Sequence, residues 1–137
     1  MRRKDKEVTS REWMLGVLND GIYAEIAMAG RDGKPYVVPM NYGFDDGHLY
    51  IHGALAGKKI DILKENPYVC FNVTTEVKLV TNPNDPSDVS SEFCSVTGSG
   101  PAARSSARAT LSPPSFAQIA VTFPAPCARP QASSPRP

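Results

Sequence analysis

Residues 35–53 leave the chain little freedom in how it folds. In 36–44 the even positions are Tyr36, Val38, Met40, Tyr42 and Phe44, and the odd ones are Val37, Pro39, Asn41 and Gly43. Alternation of this kind marks a strand with one bulky apolar face and one sparse face. After Asp46-Gly47 it resumes, with Leu49 and Ile51 on one face and His48, Tyr50 and His52 on the other. A two-residue type I′ turn at Asp46-Gly47 pairs Phe44 with Leu49, Tyr42 with Ile51 and Asn41 with His52, so the apolar faces coincide. A three-residue loop would pair Tyr42 with Tyr50 and mix the faces, which a half-buried sheet resists. The predicted hairpin therefore carries Asn41, Gly43, Tyr50 and His52 on its outer face, with little side-chain bulk near Pro39 and Gly43.

The flanking segments supply the other elements. Thr9 and Glu12 match a capping box ahead of a helix over about 10–19, whose apolar stripe is Trp13, Met14, Val17 and Leu18. Asn19-Asp20-Gly21 supplies a stop. Ile22, Ala24, Ile26 and Met28 alternate as a strand, and Gly30–Gly33 is turn chemistry. A short helix begins at Lys58-Lys59, turns Ile60 and Leu63 inward, and ends at Asn66-Pro67. Val69, Phe71 and Val73 mark another strand, residues 81–91 a polar loop, and 93–100 a last strand. About five strands and two short helices suggest a small, mostly antiparallel α+β barrel.

Composition changes after Gly100. All 14 acidic residues precede it, while 101–137 hold four arginines, no acid, 8 of the 13 prolines and none of the 10 glycines. Such a segment has little apolar surface to offset ordering entropy, so it is expected to be disordered or the product of a shifted reading frame. It shows no sustained helical or strand period, and its best candidate for an element, SFAQIAVTF at 115–123, is flanked by prolines that would stop it. The expected organisation is a domain over 1–100 and a tail over 101–137. The net charge of +1 gives no case for nucleic acid, and no apolar run is long enough to span a bilayer. Met1-Arg2-Arg3-Lys4 leads into charged residues and does not read as a signal peptide. Cys70, Cys94 and Cys127 lack metal-ligand spacing, so no metal is expected; a reduced, cytoplasmic setting is the default, and Cys70 and Cys94 are expected to be inert core thiols.

Two features carry chemistry. Lys58 and Lys59 sit where a helix begins, and free backbone N–H groups, the helix dipole and two ammonium groups there favour an anion. Without a full P-loop pattern, spacing alone favours reading them as a pair of solvated surface lysines. His52, beside Asn41, suits hydrogen bonding to a ligand or proton transfer, or is a satisfied polar residue at a sheet edge. Together the thin strand face and the cationic helix start suit a planar, phosphorylated ligand.

The segments MRRKDKEVTSREWMLGVLNDG, PYVVPMNYGF, LYIHGALAGKKIDILKENPYVCF and SVTGSG, in this order, resemble the pyridoxamine 5′-phosphate oxidase-like flavoproteins, in particular the nitroimidazole-resistance-type branch. The resemblance implies a split β-barrel, a homodimer, and FMN at the subunit interface. It implies that Pro39, Met40, Asn41 and Tyr42 line the isoalloxazine, largely through backbone, and that His52, Gly53, Lys58 and Lys59 surround the ribityl-phosphate. Family members continue past the SVTGSG-like strand with another strand and a charged helical region. Here the Ala/Pro/Arg tail stands in that place, so a barrel incomplete at its C-terminus is expected. The implied activity is electron transfer from NAD(P)H to a small acceptor such as a nitroimidazole, with His52 as the catalytic group. The alternatives are a non-enzymatic haem or flavin binder, with His52 on the iron, and an inactive truncated copy.

Overall fold

The computed structural model describes residues 8–45, 47–104, 116–122 and 127–131. Helix α1 (Arg11–Asp20) is followed by β1 (Tyr23–Ala29), β2 (Pro35–Asp45), β3 (His48–Ala54), α2 (Lys58–Glu65), β4 (Tyr68–Asn82), β5 (Asp85–Arg104), β6 (Phe116–Thr122) and β7 (Cys127–Gln131). The strands follow the order β4-β1-β2-β3-β6-β5-β7, and β4 also pairs with β5. That second pairing closes a ring of six antiparallel strands, the split-barrel α+β fold. β7 adds to the middle of β5, where Thr97 meets Cys127 and Phe93 meets Gln131.

The hairpin register is the expected one: Tyr42 faces Ile51, Gly43 faces Tyr50, Phe44 faces Leu49 and Asp45 faces His48. Gly47 has φ 75°, the left-handed backbone that a tight turn needs and glycine adopts without strain. Asp46 lies outside the described residues. Inward positions of successive strands fill the barrel. Ile26, Leu49, Phe71, Val73, Val96 and Val121 are fully buried, and Leu18 of α1 joins them. Each such burial contributes about 1.5–3 kcal/mol. Gly98 is needed here, because a Cβ would run into the Phe71 ring at 2.5 Å.

Several expectations are corrected. The boundary at residue 100 falls inside β5, and β6 lies wholly in the segment assigned to the tail. Its Ile119 and Val121 are buried, and it pairs with all of β3 on one side and with 102–104 on the other. The barrel is therefore closed by β6, not left incomplete at its C-terminus. The alternation of Ile119 and Val121 was enough for a strand, because two neighbouring strands supply its hydrogen bonds. The helix cap is Ser10, not Thr9: the Ser10 hydroxyl accepts from the Trp13 amide at 3.3 Å. Gly21 ends α1 in extended backbone, and its missing Cβ makes room for the Tyr42 hydroxyl and Val73. Ile22 is 77% exposed instead of joining the β1 core face.

The polar stretch 81–91 is not a loop. β4 and β5 extend into a long ribbon whose turn is Pro83-Asn84. Asn and Asp act only at its tip, where Asn82 Oδ1 accepts from the Asn84 amide and Asp85 Oδ1 from the Ser87 amide. Glu76, at φ 54°, marks a bulge where the register shifts between Thr75 and Lys78. Among the described residues, no helix is long and apolar enough to cross a membrane.

Candidate functional site

The outer face of β2 and β3 is built by strand alternation. Tyr36, Val38, Met40, Tyr42 and Phe44 turn toward the core, which leaves Pro39, Asn41 and Gly43 exposed. On β3, Leu49 and Ile51 are buried, so Tyr50 is half-buried and His52 exposed on the opposite face. Above Gly43 the face is open, since a Cβ there would have no neighbour within 4 Å. The His48 and Tyr50 rings lie 5.9 Å apart, tilted by 31°. Asn41, Gly43, Tyr50 and His52 thus share one accessible surface.

Tyr42 belongs to the other side. Its hydroxyl donates to the Leu18 carbonyl at 2.5 Å, near the end of α1. Burial, with Asp20 nearby, pushes its pKa up to about 12. Its side chain is committed to packing, which leaves only its backbone for the outer face.

β3 runs directly into α2 through Gly57, whose φ of 118° is a backbone that glycine favours. Gly57 has no side chain to cap the helix, and its carbonyl accepts from the amides of Ile60 at 2.8 Å and Asp61 at 3.1 Å. The amides of Lys58 and Lys59 precede these and have no acceptor within the helix. Two donors thus stand at the positive end of the helix dipole, which is the chemistry that holds an anion.

The two ammonium groups diverge. Lys59 Nζ lies 3.8 Å from Met40 Sδ, and its stem fills the space that a Gly53 Cβ would take. Met40 and Gly53 are inward positions, so Lys59 approaches the hairpin from the barrel side. Lys58 Nζ sits 4.5 Å from the centre of the Tyr36 ring, a cation–π contact. That places it in a groove of about 720 Å³ lined also by Arg31, Lys34, Asp61 and Glu65. The structure therefore joins Met40, Gly53 and Lys59 on one side, and Pro39, Asn41 and His52 on the other. The two sets meet at the corner where β3 passes into α2.

Sequence reasoning missed a polar row on the outer surface. Glu25 of β1 lies opposite Pro39 on one side and Asn72 on the other, and Asn72 lies opposite Thr97. Asn72 Nδ2 donates to Glu25 Oε2 at 3.1 Å and to Thr74 Oγ1 at 2.8 Å, while its Oδ1 accepts from Thr97 Oγ1 at 3.0 Å. Finding it needs the register of three strands, which no local motif carries.

The thiols are also corrected. Cys70 is exposed, because Val69, Phe71 and Val73 take the inward positions of β4, while Cys94 of β5 is half-buried against the core. Partial desolvation still raises the Cys70 pKa, and desolvation together with the Glu76 carboxylate raises that of Cys94, so both stay protonated at neutral pH.

The sequence matches the family described as pyridoxamine 5′-phosphate oxidase over residues 10–130. The chain belongs to this family. The match runs through β5 and β6 and ends inside β7. A curated relative, protein RA0666 of Rhizobium meliloti (strain 1021), is 38% identical over 66 residues, which is 48% of this chain and 42% of that protein. The chain thus spans less than half the length of the curated relative it matches. Two solved structures share the fold. One is a candidate 5-nitroimidazole antibiotic resistance protein from Bacteroides thetaiotaomicron VPI-5482, with TM-score 0.73, 19% identity, and coverage of 89% of this chain and 84% of that one. The other is the FAD and haem binding protein from Mycobacterium smegmatis, with TM-score 0.77, 21% identity, and coverage of 96% and 76%.

Proposed function

We propose that this chain is an FMN-binding oxidoreductase that acts as a cytoplasmic homodimer and passes electrons from NAD(P)H to a small acceptor such as a nitroimidazole. The observation that carries the reading is the junction of β3 with α2, where a helix start without a side-chain cap brings Lys59 against Met40 and Gly53 of the hairpin whose other face is the exposed, side-chain-poor surface of Pro39, Asn41 and Gly43. The residues fit a phosphorylated planar group. The open surface over Gly43 accommodates a ring, and the first amides of α2 accommodate a phosphate.

Each residue then has a part. The Lys58 and Lys59 amides and ammonium groups would hold the phosphate, with Lys59 released from Met40 to do so. Pro39, Met40, Asn41 and Tyr42 would present backbone to the ring, and the Asn41 amide would fix its orientation. Gly53 would leave the corner open. His52 would hold a proton at an imidazole nitrogen facing the ligand and donate it to the acceptor. When bound, FMN would supply the two-electron redox chemistry, and the protein position and electrostatics. A second subunit would cover the exposed ring face.

The cofactor that copurifies tests this reading. A flavin spectrum, and uptake of added FMN by the cofactor-free chain, are expected. A haem Soret band that His52→Ala abolishes would instead establish the haem-binding alternative, which the fold shared with an FAD and haem binding protein raises.

A further inference from the structure

We propose that Glu25 selects the charge of the substrate at the ring site, favouring a cationic or N–H-donating group and disfavouring an anionic one. This inference rests on the ring lying over Pro39 and Asn41. Glu25 is directly opposite Pro39 in the β1–β2 register, and Tyr23 is opposite Asn41. Facing residues of an antiparallel pair hold their Cβ atoms about 4.5–5.5 Å apart, so the carboxylate borders any ring on that backbone. It is outward-facing, since Ala24, Ile26 and Met28 take the buried positions of β1.

The carboxylate is held in place. Asn72 uses one end of its amide on Glu25 and Thr74 and the other on Thr97, which fixes the amide's orientation and leaves Nδ2, a donor, toward Glu25. Among the described residues, no ammonium or guanidinium group forms an ion pair with Glu25. A half-buried carboxylate with an amide partner but no such cationic partner keeps its negative field for whatever lies beside it. At the far end of the ring site the lysines attract the phosphate. The site is thus polarised, positive at α2 and negative at Glu25.

The test uses three probes with the same ring: benzylammonium, benzyl alcohol and benzoate. The chain and its Glu25→Gln and Asn72→Ala variants are saturated with FMN, checked by visible absorption, and each probe is titrated by the shift it causes in the flavin spectrum. The parent chain should bind benzylammonium at least about fivefold tighter than benzoate. Glu25→Gln should bring those two within about twofold while leaving benzyl alcohol unchanged, and Asn72→Ala should give an intermediate ratio. Glu25→Gln keeps the side-chain shape, so its melting temperature should match the parent. A chain that takes up FMN but ranks the probes alike, binds none of them, or keeps the parent ranking in Glu25→Gln overturns the charge selection alone. A chain that takes up no FMN overturns the cofactor reading, and this inference with it, before any probe is added.

Discussion

The phenol of Tyr42 closes the end of α1 by donating to the Leu18 carbonyl at 2.5 Å, which ties the helix to the strand whose outer face forms the candidate site. Its pKa is raised from 10.0 to about 12, so the folded chain favours the protonated phenol. The stability from this contact is complete below the ordinary value of 10.0 and is lost as pH rises through about 12. Tyr42→Phe should cost about 0.5–1.5 kcal/mol at neutral pH. It should also remove the part of the alkaline stability loss that belongs to this phenol. Chemical denaturation of both proteins between neutral and strongly alkaline pH checks both outcomes.

β6 is the strand that closes the ring, and its Ile119 is buried between β3 and β5. Ile119→Ala should destabilise the chain by about 2–5 kcal/mol. Ending the chain before residue 116 should leave β3 and β5 with open edges and replace a single cooperative melt with aggregation. Thermal unfolding followed by circular dichroism, with light scattering, measures both. A truncated chain that melts like the parent would show that β6 does not close the barrel in solution.

Gly98 lies against the buried Phe71 ring, with no room for a methyl group. Gly98→Ala should therefore cost about 1–3 kcal/mol, read as a shift in denaturation midpoint without a change in slope.

Gly53 makes a softer case. A Cβ there meets only the flexible end of Lys59 and the Met40 methyl, so Gly53→Ala should change stability by no more than about 0.5 kcal/mol. It should displace the Lys59 ammonium from the corner and weaken FMN binding roughly threefold or more. Melting curves beside FMN titrations separate the two effects.

The hairpin was legible in the sequence because two independent constraints agreed. The alternation around Tyr42 and Ile51 and the two-residue turn at Gly47 allow one register only. β6 was not legible, because the Ala, Pro, Ser and Arg around Ile119 and Val121 mask an alternation that two neighbouring strands complete. The ribbon beyond Glu76 was misread for a related reason: its Asn and Asp residues belong to a tight tip, while Leu79 and Val80 pair with Ser91 and Ser90 of the partner strand. The start of α2 was readable from Gly57-Lys58-Lys59, but the directions of the two ammonium groups depend on Tyr36 and Met40, which come from a different element. The Glu25–Asn72–Thr97 row needs three strands, β1, β4 and β5, in register before it exists at all.

The most direct measurement is the dissociation constant of FMN for the purified, cofactor-free chain and for the Lys58→Ala/Lys59→Ala double variant. The account predicts saturable FMN binding by the parent and an affinity at least about tenfold lower in the variant, with the same melting temperature. Equal affinities in the two proteins, or no binding by the parent, would contradict it.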